Sequence, residues 1–249
     1  MQIIVLGMHR SGTSLTTRLI NMMGAYFGPE TSVGEITDDN PKGFWERPEV
    51  FKLNEALLAS QSCAWHDLAR WNNQSAVIPG NIAKNIQKIV LGMDAFRPWV
   101  LKDPRLCVLL PLWRPYLEVP IAVIVHRDPV EIALSLQRRD GFSLDKGLAL
   151  WECYAKGIIA HTQDIPRIFV SHHELLERPV ETCQRLYQEL AELGVRRLAM
   201  PSDREITAFI DPKLYRSKPK GEMQLMTENQ QILADMMEGK RPFSMALPG

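Results

Sequence analysis

Residues 7 to 14 read Gly7-Met-His-Arg-Ser-Gly12-Thr-Ser14, two glycines bracketing a short polar turn and followed by two hydroxyls. This is the spacing of the nucleotide phosphate loop GxxxxGK[ST], with Thr13 in place of the lysine. A lysine there reaches the β- and γ-phosphates of a nucleoside triphosphate, so its loss removes the main charge of a kinase or ATPase. The cation is instead Arg10, in mid-loop, with Ser11, Thr13 and Ser14 around it. The pattern predicts a nest for a phosphate-like group other than a triphosphate; the plainer alternative is a packing turn between strand and helix.

Two other turns carry cations: Lys102-Asp-Pro-Arg105, and His126-Arg127 just before Asp128-Pro129. Turns that open on one edge of a sheet would bring Arg10, Lys102, Arg105 and Arg127 toward one ligand with two separate anionic groups. Ser135, two helical turns past Arg127, would share one of those groups with it. Lys102 has two readings, contact with the ligand or an ion pair with Asp103 or another carboxylate in the turn.

The elements that position these turns follow from periodicity. The apolar run Ile3 to Leu6 breaks at Gly7 and resumes with Leu15 and Leu19 at helical spacing, which predicts strand, loop and helix. Trp99 to Lys102 and Pro120 to Val125 are further strands, the latter apolar throughout and so buried on both faces of a parallel sheet. Asp128, Pro129 and Glu131 form a strong helix start, and that helix carries Ser135. Helices are expected from Pro48, from about Asn81, over Ser143 to His161 and over Pro179 to Leu193, with Arg167 to Val170 as the last core strand. Leu106 to Trp113 reads as a short helix halted around Pro111 and Pro115, and His172-His173 as a solvated loop. Strands alternating with helices predict an α/β fold of three layers, a mostly parallel sheet flanked by helices, with ligands at the C-terminal strand ends.

The totals narrow the function. Among 249 residues, 29 basic side chains balance 29 acidic ones, so no broad basic field argues for nucleic acid or an anionic membrane surface. Cys63, Cys107, Cys153 and Cys183 lack CxxC spacing, which fits reduced thiols in a cytoplasmic protein. The apolar run at Ile3 to Leu6 is too short for a signal or a membrane span. No pattern of acidic residues demands a metal.

The loop Gly7 to Ser14, taken with Arg127 and Ser135 after the central strand, resembles the two donor-binding motifs of the PAPS-dependent sulfotransferases. Lys102-Asp-Pro-Arg105 and Asn40-Pro-Lys-Gly-Phe-Trp-Glu46 resemble segments of bacterial members, and the resemblance covers about Ile3 to Leu193. It implies a P-loop-like sulfotransferase topology over a single domain 1–249, with residues 25–80 an acceptor-side insertion and 195–249 a C-terminal helical extension. It also implies sulfuryl transfer from 3′-phosphoadenosine 5′-phosphosulfate (PAPS) to a hydroxyl or amine of a small-molecule or glycan acceptor, with no metal. Arg10, Ser11, Gly12, Thr13 and Ser14 would then hold the 5′-phosphosulfate, and Arg127 and Ser135 the 3′-phosphate. Arg10, Lys102 and Glu46 would be the catalytic residues. A hydroxyl acceptor needs a base, for which Glu46 is the first choice and His66 with Asp67 the reserve. The alternative makes Glu46 a solvated first-turn residue beside Arg47-Pro48. Phe44, Trp45, Trp65 and Trp71 are candidates for an acceptor pocket or for core. Two rivals stand beside this reading: a P-loop kinase of a nucleoside or small metabolite, and a non-catalytic nucleotide-binding module.

Overall fold

Strand β1 (Gln2–Leu6) is buried along its whole length. Ile4 and Leu6 pack into one apolar cluster and Ile3 and Val5 into another, because side chains alternate across a strand and both faces here are covered. In this computed structural model, residues 1–29, 43–72, 78, 80–210 and 226–243 are described. Residues 30–42, within the acceptor-side insertion and including Asn40, and residues 211–225 of the C-terminal extension lie outside them.

Among the described residues β1 lies between β2 (Trp99–Lys102) and β3 (Pro120–His126), with β4 (Arg167–Ser171) beyond β3. All neighbours are parallel. Val5 pairs with Lys102, Leu6 with Ile124, and His126 with Ser171, so the strands end nearly level and their turns share one edge.

Helices α1 (Thr13–Met22) and α8 (Pro179–Glu192) bury Leu19, Ile20, Leu186 and Leu190 against the face holding Ile3 and Val5. The opposite face is covered by α2 (Pro48–Ala59), α3 (Gly80–Asp94), α4 (Leu106–Trp113), α6 (Leu144–His161) and α10 (Glu228–Met237). The chain is thus the expected three-layer α/β fold. Helix α5 (Pro129–Asp140) starts as its sequence requires: the Asp128 carboxylate accepts from the N–H groups of Val130 and Glu131 at 2.8 and 3.1 Å. Helix α9 (Asp203–Phe209) opens with a capping box of Ser202 and Glu205.

One expectation holds and one is corrected. Helix α4 has its expected bounds, Leu106–Trp113, running on past Pro111, and a 3-10 turn containing Pro115 takes up Arg114–Tyr116. Proline has no N–H for the carbonyl of Cys107 one turn back, but His161 Nδ1 lies 3.0 Å from that oxygen and satisfies it. His172 is not in a solvated loop. It opens α7 (His172–Glu177), capped by the Ser171 hydroxyl accepting from Glu174 N–H at 3.3 Å.

Candidate active site at the strand ends

The loop after β1 folds back so closely that Gly7 has no room for a side chain. A Cβ there would lie 2.6 Å from Ser11 Oγ and 2.7 Å from the Val125 carbonyl. Its N–H donates to Cys107 Sγ at 3.3 Å, anchoring the loop to α4. Arg10 and Gly12 turn the chain through left-handed conformations, with φ of 71° and 96°. Helix α1 then begins at Thr13 with no side-chain cap at Gly12, which leaves its first-turn N–H groups for an anion.

The three hydroxyls have different places. Ser11 is 1 % exposed and its Oγ, beneath the loop beside Gly7, has no hydrogen-bond partner among the described residues. Thr13 is buried, and its methyl faces Gly7. Ser14 Oγ donates to the Phe44 carbonyl at 2.7 Å and accepts from Lys102 Nζ at 3.2 Å. Ser14 therefore ties the start of α1 to the segment that carries Glu46.

The turns after β1 and β3 interlock. Arg10 Nε donates to Ser135 Oγ at 2.9 Å, and Arg127 Nη1 donates to the Arg10 carbonyl at 3.0 Å. Glu131, in the first turn of α5, holds Arg127 Nε at 2.8 Å. The groups at 10, 127 and 135 thus share one rim.

Lys102 is 1 % exposed and its ion pair is with Glu46, at 2.6 Å, a carboxylate outside its own turn. Asp103 instead pairs with Arg105, at 3.0 Å, and Glu55 takes the other side of that guanidinium. Arg105 is therefore neutralised within the wall of the site, while Lys102 and Glu46 sit together at its mouth beside Ser14. Glu46 is not a solvated helix-start residue: its side chain is 14 % exposed and α2 begins two residues later.

Two histidines flank the loop. His172, from the end of β4, stands against Gly12 so closely that a Cβ at Gly12 would lie 2.4 Å from His172 Cδ2. Burial, with Arg127, His173 and Arg10 nearby, pushes its imidazole down to about 3, so it is neutral at physiological pH. His9 is likewise held well below the ordinary histidine range by burial and by Arg105, Arg139, Lys102 and Arg10. Its ring packs on Trp65 at 4.5 Å, and His66 and Phe142 continue the cluster. Trp45 lies in the core against Phe27, beneath Arg18. The sequence signal that seats His172 beside the loop is Ser171-x-x-Glu174, a helix start directly after a strand.

A parallel sheet bearing an uncapped glycine loop, with cations gathered at the strand ends, defines an α/β protein of P-loop-like fold. Residues 2–193 match the model of the sulfotransferase family, and the chain belongs to that family. Among solved structures it is similar to the sulfotransferase domain from the Synechococcus PCC 7002 olefin synthase, with 18% identity, a TM-score of 0.56, and 99% of this chain and 95% of that chain covered. That likeness is one of fold. No curated protein matches the chain. Among the described residues no helix is long and apolar enough to cross a membrane, and no three His, Cys, Asp or Glu side chains are grouped to hold a metal.

Proposed function

We propose that this sulfotransferase moves a sulfuryl group from PAPS to a hydroxyl, or an amine, of a small-molecule or glycan acceptor in the cytoplasm, without a metal. The observation that carries this is the interlock of Arg10, Ser135 and Arg127, which joins a 5′-side anion loop to a second cationic turn. A ligand with anionic groups at both ends of an adenosine suits such a rim; a triphosphate, with Thr13 where a lysine would be needed, suits it less.

When bound, PAPS supplies a sulfuryl group already joined to a phosphate leaving group. The residues of this chain position it and meet the charge that develops, as in phosphoryl transfer. Arg10, with the N–H groups at Gly12, Thr13 and Ser14, holds the 5′-phosphosulfate; Ser11 lends its orphaned hydroxyl to the underside of the loop. Arg127 and Ser135 hold the 3′-phosphate. Lys102 stabilises the sulfuryl oxygens, and Glu46, beside it, takes the proton of the acceptor. His66 is the reserve base. The domain is one unit, with residues 25–80 on the acceptor side and 195–249 as its C-terminal extension.

Calorimetric titration with adenosine 3′,5′-bisphosphate against ATP plus magnesium tests the donor. Tighter binding of ATP would replace this reading with a kinase, and binding without transfer of labelled sulfate to any acceptor would leave a nucleotide-binding module.

A further inference from the structure

Trp45 is a bulky residue in a backbone conformation that suits glycine, with φ of 52°. An Asn or Asp would offset that conformation by local hydrogen bonding; an indole does not. The compensation comes from packing. The ring is 7 % exposed, lies against Phe27 with centroids 5.2 Å apart, and sits 4.8 Å from the Arg18 guanidinium. Strain of this kind persists only where the surroundings over-determine it, and it concentrates at functional sites.

Both neighbours of Trp45 in the chain reach the site. The Phe44 carbonyl accepts from Ser14 Oγ at 2.7 Å, and Glu46 Oε1 accepts from Lys102 Nζ at 2.6 Å. Lys102 Nζ also donates to Ser14 Oγ at 3.2 Å, which closes a ring of contacts through Phe44, Trp45 and Glu46. Val100, two positions before Lys102 on β2, belongs to the apolar cluster that receives the Trp45 ring, so ring and ammonium stand on one face of the sheet. Phe27 holds the segment on both sides of Glu46: its ring meets Trp45, and its carbonyl accepts from Arg47 Nη1 at 3.0 Å.

We infer that Trp45 is a positioning residue: its ring, seated between Phe27 and Arg18, pins the left-handed turn that aims Glu46 at Lys102 and Ser14, and so holds the base at the mouth of the site. The inference rests on the reading of Glu46 as the base given above. Such a pin matters because Glu46 lies on an irregular segment before α2, and a carboxylate displaced by ~1 Å can lose ~10²-fold in rate.

The test sets Trp45→Gly, which accepts the turn but removes the ring, beside Trp45→Phe, which keeps an aromatic ring for Phe27, and Arg18→Gln, which removes only the cation. Acetic anhydride is applied to the full chain, and acetylation of Lys102, 1 % exposed in the parent, is followed by mass spectrometry. Trp45→Gly should be acetylated there about tenfold or more faster than the parent, Arg18→Gln about threefold faster, and Trp45→Phe at the parent's rate. The buried thiols of Cys107 and Cys183 should stay closed to iodoacetamide throughout, which marks the opening as local. Lys102→Met lowers the urea midpoint by stranding Glu46, and that loss should shrink to less than half in the Trp45→Gly background, where the carboxylate is free to turn to water. Release of labelled sulfate from PAPS to water reads the base. In that step a water O–H bond breaks, its proton passes to Glu46, and its oxygen bonds to sulfur as the bond from sulfur to the phosphate oxygen breaks. Trp45→Gly should lower the release about tenfold or more, but by less than about twofold in the Glu46→Gln background, with its adenosine 3′,5′-bisphosphate affinity unchanged. Lys102 still closed to the reagent in Trp45→Gly, thiols that open with it, or a Lys102→Met loss equal in every background would overturn the inference. So would a fall in sulfate release that is the same with and without Glu46→Gln. If Trp45→Gly does not fold, Arg18→Gln carries the same comparisons. Sulfate release that does not respond to Glu46→Gln would instead overturn Glu46 as the base, while acetylation and midpoint still decide the part played by Trp45.

Discussion

Arg127 fixes the backbone of Arg10: its Nη1 donates to the Arg10 carbonyl at 3.0 Å, across the gap between two strand-end turns. Removing that guanidinium takes away a support for the loop and, on the proposed donor reading, a charge for the 3′-phosphate. Arg127→Ala should weaken adenosine 3′,5′-bisphosphate binding by ~10- to 100-fold, the value of one or two charged hydrogen bonds. Calorimetry reads this directly, and an unaltered affinity would take Arg127 out of the site.

Arg10 combines the side chain proposed to hold the 5′-phosphosulfate with a left-handed backbone, φ 71°, that non-glycine residues rarely adopt. Arg10→Gly should therefore lower turnover by ~10²-fold or more while the protein stays as stable as before, since glycine accepts that conformation. A loss of activity that only mirrored unfolding, followed by circular dichroism, would contradict the separation of the two roles.

Glu46 and Lys102 are a nearly buried ion pair, so each depends on the other. Glu46→Gln should lower turnover by ~10²-fold or more. Lys102→Met alone should destabilise by about 3 kcal/mol by stranding the carboxylate, and the double variant should recover most of that stability but none of the turnover. If Glu46→Gln turns over normally, the base is to be sought at His66.

His172 makes stability depend on pH. Its folded-state value, about 3, lies below the ordinary 6.5 of the unfolded chain, so between those values the unfolded state binds the extra proton. The stabilisation is complete above about pH 6.5 and is lost as pH falls, by about 2 kcal/mol between pH 7 and pH 5. Urea unfolding across that window should show the slope, and His172→Gln should lessen it by that amount while leaving the share of His9, whose imidazole burial also holds low.

The sheet was legible because each strand is a local fact: Ile3 to Leu6 and Pro120 to Val125 are apolar without interruption, and two covered faces ask for nothing else. The start of α5 was equally local, with Asp128, Pro129 and Glu131 adjacent in the chain. Pairings across the fold were not. Nothing around Lys102 points to Glu46, 56 positions away, rather than to adjacent Asp103. The group that lets α4 run past Pro111 is as distant, since the stranded carbonyl of Cys107 is met by His161, 54 positions on from that cysteine. Local rules describe what a segment prefers; they are silent about what a distant segment will supply.

The order β2-β1-β3-β4 places β1 between two strands that both follow it in the chain, so it is synthesised with both of its neighbours still to be made. Ile3 to Leu6 must wait until Lys102 for a first partner strand and until His126 for the second, and the hydroxyl of Ser135 that receives Arg10 comes later still. A nascent chain arrested before β3 should therefore hold no nucleotide and should recruit holding chaperones, whereas one released after α5 can close its rim.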